Sequence, residues 1–234
     1  LVSFGLGIQN YIDEIAEEAG VDKLFIQVAS TGAPGIDESF FLTKEDVDFV
    51  GKINGVDEFT GIYTKVVEVK FNDQVRFNFI NGLDIEKIDF VQETFTVGIE
   101  EGRAFKEGDF NKVILGHNYK LENKIFSKPI KLGDKIEINN KEFQVIGFYE
   151  EVGNPQDDSN VYITFESFES LFPERKDKFG FVILSAGKNV IPSELAENIE
   201  EKLRKFKDQE KGKETFFVQT FEDALETFSN IINV

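Results

Sequence analysis

His117 is the only histidine in the 234-residue chain, and there is no cysteine. A nucleophile–histidine hydrolase site, or a metal site rich in imidazole or thiolate, therefore has almost no material to draw on. His117 follows Gly116 at the end of an apolar run, a place that suits a surface or capping role better than a general base. Asp157, Asp158 and Asn160 offer oxygen ligands to a hard cation such as Ca²⁺. Their spacing is not that of an EF-hand loop, and the same residues make an ordinary Asx-rich turn. Arg103, directly after Gly102, is expected to pair with a buried acid and pin a turn; contact with a substrate is the alternative. Gly187-Lys188-Asn189 lacks the glycine run and the Ser/Thr of a phosphate-cradling loop. Forty-four acidic residues guarantee chance carboxylate pairs, so glycoside-cleavage chemistry attaches to no particular pair. We therefore assign no catalytic, cofactor-binding or metal residues and no cofactor; the substrate-binding residues are unknown.

Composition narrows the classes further. Acidic residues outnumber basic ones 44 to 26, a net charge of −18. Such a surface repels phosphate backbones and anionic headgroups, which argues against a nucleic-acid partner. The hydrophobic fraction of 41%, with 26 Phe, supplies a core. A chain this long buries roughly 70% of its unfolded surface, so one large domain or two small ones is expected. No apolar run reaches the ~20 residues of a spanning helix. There is no Met, even at position 1, so an excised or processed fragment is expected. Leu1 to Ile8 then reads as the outer end of a membrane helix, or as the start of an ordinary amphipathic one.

The elements that would position these residues follow from periodicity. Ile8, Ile12, Ile15 and Ala19 recur at helical spacing. Lys23 to Ala29 reads as a strand and Ser30 to Gly35 as a loop. Thr43 and Asp46 form a capping box for a short helix through Val47 and Val50. Val67, Val69 and Phe71, then Val75, Phe77 and Phe79, alternate about Asn72-Asp73 and predict a hairpin. Ile85 to Phe95 is a short helix or an irregular crossing, and Gly102 to Phe105 a turn. Lys112 to Leu115 is a buried strand, and Tyr119 to Phe126 reads as helical. Lys135 to Ile138 and Glu142 to Phe148 are strands about Asn139-Asn140. Gly153 to Asn160 is a polar loop, Val161 to Ile163 a strand, and Phe165 to Leu171 a short helix. Phe179 to Leu184 is a strand. Leu195, Ile199, Leu203 and Phe206 form one face of a long charged helix. Phe216 to Val218 is a strand. Thr220 and Asp223 cap a last helix with a stripe of Phe221, Leu225, Phe228 and Ile232. Strand–helix patterns near both ends, with strands between, predict an α+β subdomain with a smaller β-rich one inserted in it.

Several runs carry a resemblance. Ile99 to Phe105, with its Gly-Arg-aromatic turn, is similar to the MacB-type periplasmic core domain of ABC-transporter permeases. So is Val113 to Gly116 followed by Leu121 and Ile125-Phe126. Leu132 to Ile138 with Phe143 to Phe148, and Asp157-Asp158 before Val161 to Ile163, resemble its paired strands and acidic loop. Upstream, Leu42 to Asp46 and Ile53-Asn54-Gly55-Val56 match its first helix and the entry to the next strand, and Gly5 to Ile8 resembles the segment leaving the first membrane helix. These runs cover most of the chain in the family's order. Thr164 departs from it, standing where the family often has Pro.

The resemblance implies a discontinuous porter-like subdomain of two strand–helix repeats, residues 1–84 and 176–234. It implies an inserted, β-rich Sabre-like subdomain, residues 85–175. It places the domain on the extracytoplasmic face of the cell membrane, periplasmic or extracellular, tethered to the membrane at both ends in the full-length protein. A cytoplasmic ATPase subunit, reached through the missing transmembrane helices, and a second permease subunit are the implied partners. The implied function is non-enzymatic: coupling ATP hydrolysis to motion outside the membrane, for efflux, lipoprotein extraction or partner activation. The two termini are expected close together. The alternatives are a freestanding extracellular binding or adhesion module, which requires a self-sufficient binding face, and a secreted hydrolase, which requires a cleft of convergent polar groups. The phenylalanines of Phe40-Phe41 and of the hairpin, Phe71, Phe77 and Phe79, are read as core, or as contacts to lipid, peptide or another subunit.

Overall fold

The computed structural model describes residues 22–29 and 40–223. The helix expected from Ile8 to Ala19, the loop from Ser30 to Gly35, the body of the last helix and the separation of the termini lie outside the described residues. The chain divides into two compact units. One comprises the described parts of residues 1–61, 93–96 and 179–234, and the other residues 62–92 and 97–178.

In the first unit the strands are β1 (Lys23–Val28), the opening of β3 (Val56–Phe71), β11 (Phe181–Ala186) and β12 (Phe216–Thr220). Their order is β12-β1-β11-β3. β1 is antiparallel to both neighbours, with Leu24 opposite Leu184 on one side and Thr220 on the other. Helix α1 (Lys44–Val50) lies between β1 and β3 in the chain, and α4 (Pro192–Phe206) between β11 and β12. Two strand–helix–strand passages with interleaved strands make the split β-α-β arrangement of ferredoxin-like folds. The helices form where the residues demand them. Thr43 Oγ1 accepts from the Asp46 N–H and the Asp46 carboxylate accepts from the Thr43 N–H, closing the expected capping box. Pro192 opens α4, Leu195, Ile199 and Leu203 are buried along one face, and Arg204 and Lys205 sit in the last turn, where cations suit the helix dipole. That face packs on β12 and β1. Two-residue strands β2 (Leu42–Thr43) and β10 (Lys178–Phe179) pair separately.

The second unit is a small barrel. After the rest of β3 it contains β4 (Gln74–Leu83), β5 (Ile99–Gly102), β6 (Lys112–Leu115), β7 (Lys135–Ile138), β8 (Lys141–Tyr149) and β9 (Val161–Thr164). Pairing runs β3-β4-β9-β6-β8, and β7 pairs with both β8 and β3, which closes the ring. β4 with β9 and β6 with β8 are parallel; the other pairs are antiparallel. Closure pairs the ring strands with one another, and the far end of β8, past β7, is the edge that β5 takes. Val67, Val69, Ile80, Val113, Ile136, Ile138, Phe143, Val145, Val161 and Ile163 are buried in it. The hairpin turns at Asn72, φ 47°, and the β7–β8 turn at Asn139 and Asn140, φ 46° and 63°, which is the left-handed pair a two-residue hairpin needs. A 3₁₀ turn, Ile85–Lys87, leads into α2 (Ile88–Thr94), and Thr164 caps α3 (Phe165–Leu171) through its hydroxyl.

Ile99 to Gly102 is a strand, β5, for which the sequence raised no expectation, added to β8 through a bulge. Two expectations change. Phe179 to Leu184 is not one strand but β10 and β11, interrupted at Gly180. Tyr119 to Phe126 is not helical: a 3₁₀ turn at His117–Lys120 gives way to irregular chain, with Asn123 at φ 59°. Its backbone groups are spent elsewhere. Ile125 O accepts from Arg76 Nε at 2.9 Å, Ser127 N donates to Gln74 Oε1 at 2.8 Å, and Ile130 N donates to Tyr119 O at 3.0 Å.

Candidate functional site

A polar cluster in the barrel unit lies where β5, the 3₁₀ turn after β6 and the loop before β9 meet. Gly116 makes this possible: its N–H donates to Asn160 O at 3.0 Å, and a Cβ there would stand 2.4 Å from Asp158 O. His117 Nδ1 lies 2.8 Å from Glu100 Oε2, and Lys120 Nζ reaches both Glu100 and Glu101, at 2.9 and 3.2 Å. Hydrogen bonds from Lys120 and then His117 hold the Glu100 carboxyl below the usual range. On the loop, Asp158 is buried, and its Oδ1 accepts from Val152 N at 2.8 Å. Burial pushes its carboxyl up. Asp157 accepts from the side-chain amides of Asn154 and Asn160, at 2.8 and 3.3 Å. Burial, helped by the Asp158 charge, pushes its carboxyl to about 6, although the residue keeps much of its surface exposed, which limits that push.

These contacts decide what the cluster can do. The Asp157 and Asp158 oxygens are turned into the loop's own amides, as in an Asx turn. Among the described residues no three His, Cys, Asp or Glu side chains converge as metal ligands. His117 is held by a carboxylate that also binds a lysine, and no hydroxyl nucleophile hydrogen-bonds to it among the described residues.

Arg103 is the turn-pinning residue of this unit. Its Nη1 and Nη2 donate to Asp109 Oδ2 and Oδ1 at 2.5 and 2.8 Å, and Asp109 also accepts from Lys106 N at 2.9 Å. Asp109 is buried, and these bonds, Arg103's first, hold its carboxyl below the usual range. Gly102 enters the turn at φ 87°, where a Cβ would meet Ile146 O at 2.2 Å. The sequence signal for this device was the Gly-Arg step; its acid, six residues on, carried none.

In the ferredoxin-like unit, Phe40, Phe41, Thr43, Asp46, Phe206 and Lys207 line an open depression of about 450 Å³. Its one buried charge pair is already committed. Lys207 Nζ lies 2.6 Å from Asp46 Oδ2, the oxygen that also closes the α1 capping box. Phe206, expected on the buried face of α4, is half exposed and stacks on Phe49 with centroids 4.2 Å apart. Lys188 and Asn189 sit in an exposed turn with Asn189 at φ 63°. In the hairpin Phe77 is 69% exposed, whereas Phe71 packs edge-on against Phe126 at 5.7 Å.

The described fold is a split β-α-β unit whose chain is interrupted by a barrel unit. The profile of the MacB-like periplasmic core domain matches residues 1–202, and the chain belongs to that family, the extracytoplasmic domain of ABC-transporter permeases. An uncharacterized ABC transporter permease of Methanocaldococcus jannaschii is 29% identical over the whole chain, which spans 56% of that relative's length. Two solved structures share the fold at 16% identity. The periplasmic region of MacB from Actinobacillus actinomycetemcomitans has a TM-score of 0.68, over 93% of this chain and 98% of that one. The extracellular domain of the noncanonic ABC-type transporter YknZ from Gram-positive bacteria has a TM-score of 0.63, over 85% of this chain and 100% of that one.

Proposed function

We propose that this domain is the moving outer arm of a permease that is tethered to the membrane at both ends of the chain described here. A cytoplasmic ATPase subunit closes on ATP, the membrane helices shift, and the domain carries that shift outward to a substrate or partner protein, by efflux, extraction or activation. A second permease subunit completes the assembly, and the domain performs no catalysis of its own. The porter-like subdomain is residues 1–84 and 176–234 and the Sabre-like insertion residues 85–175, the latter falling mostly within the barrel unit. The observation that carries this reading is the family match over residues 1–202. The fold suits the task, because packed helices and sheets transmit displacement as discrete rearrangements rather than as diffuse bending.

The domain itself has no cysteine, so a reporter thiol placed in it has no competitor within the domain. Glu197→Cys on the exposed side of α4, labelled with an environment-sensitive dye in the full-length permease with its ATPase in proteoliposomes, tests the coupling. ATP is expected to change the emission with the wild-type ATPase. With a hydrolysis-dead, non-closing ATPase the emission should stay constant. An emission indifferent to nucleotide would overturn the proposal.

A further inference from the structure

The hairpin of the barrel unit has one unguarded side. β4 pairs with β3 along Gln74–Gly82 but with β9 only from Ile80 to Leu83. Its first half, residues 74–79, therefore has a strand neighbour on one side alone among the described residues. Exposed edges are usually blunted by charge, Pro or a bulge. Here the alternation of a strand puts Val75, Phe77 and Phe79 on one face, with Val75 39% and Phe77 69% exposed. Phe77 is the most exposed of the large apolar side chains among the described residues.

The opposite face is tied down. Gln74 Oε1 accepts from Ser127 N, Arg76 Nε donates to Ile125 O, and Asn78 Nδ2 donates to the Tyr119 hydroxyl at 2.7 Å. These are side-chain bonds; no backbone–backbone hydrogen bond joins residues 74–79 to that irregular segment among the described residues. The segment brings positive charge. Residues 70–76 and 119–131 hold six cations and two acids, in a chain whose net charge is −18. Lys124 and Lys128 bracket the bonded residues, are exposed, and make no ion pair among the described residues, and neither does Arg76. Glu68 and Glu137 sit on β3 and β7, away from the open edge.

We propose that this edge of β4 docks an acidic, extended segment of a partner protein, which adds as a further strand along residues 74–79. An added strand alternates its side chains as β4 does. Its apolar residues would lie on the Val75 and Phe77 face, and its carboxylates on the face of Arg76, Lys124 and Lys128. A lipid surface offers no backbone groups to complete the ladder, and a second copy brings a net charge of −18 against a basic patch only locally. The edge lies wholly within the barrel unit, so its failure would leave the coupling reading as it stands.

The test is fluorescence anisotropy of a labelled peptide that alternates Glu with Val, titrated with this chain. Saturable binding is expected, lost when the peptide's backbone nitrogens are methylated. A peptide with Lys in place of Glu should bind about tenfold more weakly or worse. Phe77→Ser should weaken binding of the Glu peptide about tenfold. Lys124→Glu with Lys128→Glu should weaken it similarly and flatten its dependence on salt. No saturable binding, equal affinity for the Glu and Lys peptides, or undiminished binding of the methylated peptide would overturn the proposal. So would co-sedimentation with phosphatidylglycerol vesicles in place of peptide binding, which assigns the edge to lipid, or a dimer that Phe77→Ser abolishes, which assigns it to a second copy. Should Phe77→Ser fail to fold, amide NMR of the wild type decides: saturable shifts centred on residues 74–79 and 121–128 support the edge, and shifts elsewhere, or none, refute it.

Discussion

Replacing Asp109 with Ala probes the turn that joins β5 to β6. Asp109 is 5% exposed and accepts three hydrogen bonds, two from Arg103 and one from Lys106 N. The Arg103 side chain is 40% exposed, so solvent screens the ion pair and about 1 kcal/mol is assigned to it. The backbone bond to a carboxylate adds about 1 kcal/mol, and the void left by the side chain a few tenths more. Asp109→Ala is therefore expected to cost about 2–3 kcal/mol. Asp109→Asn, which keeps the shape and one carbonyl acceptor, is expected to cost about 1–2 kcal/mol. The pH dependence has a definite sign. Arg103 holds the Asp109 carboxyl below its ordinary 3.8, so its contribution is complete above that pH and vanishes as the pH falls through the lower, folded-state value. Urea unfolding followed by circular dichroism gives the global cost, and amide exchange over residues 103–110 gives the local one, which guards against the two units unfolding separately. The reasoning fails if Asp109→Ala costs less than about 0.5 kcal/mol and leaves the acid limb of the stability curve unchanged.

Three further substitutions read other parts of the structure. Gly116→Ala forces a Cβ to within 2.4 Å of Asp158 O; a loss of about 2–3 kcal/mol in urea unfolding is expected, from displacement of the acidic loop. Lys207→Met strands the buried Asp46 carboxylate and should cost about 2–3 kcal/mol, most of it recovered in the double variant with Asp46→Asn, as a double-mutant cycle would show. Asp157 binds its proton more tightly in the folded protein, between its ordinary 3.8 and about 6. Wild-type stability should therefore decline as the pH rises through that window, and Asp157→Asn should lose the decline, as paired denaturation curves across the window would reveal.

Local rules were legible wherever the chain's own neighbours decide the structure. Both capping boxes closed as their Thr and Asp spacing demands; Thr220 Oγ1 accepts from Asp223 N at 3.1 Å. The Asn-rich turns and the strands beside them fell where alternation ends. Tyr119 to Phe126 shows where such rules stop: Leu121 and Ile125 have helical spacing, yet Arg76 and Gln74, nearly fifty residues upstream, take the backbone groups a helix would use. Barrel closure was equally invisible, because β4 with β9 and β6 with β8 are parallel pairs between distant segments and leave no turn signature. The acidic strand Ile99–Gly102 is a strand only because β8 offers it an edge. Of the candidate residues, Arg103 found a buried acid, while Asp157 and Asp158 accept hydrogen bonds from their own loop.

The coupling itself is tested most directly by a distance. Spin labels on Glu197→Cys in two copies of the full-length permease, reconstituted with its ATPase, report the separation of the two outer domains by pulsed electron resonance. A distribution that shifts between the nucleotide-free and ATP-trapped states, and returns after hydrolysis, is the predicted result. One unchanged distribution through the whole ATPase cycle would contradict the account.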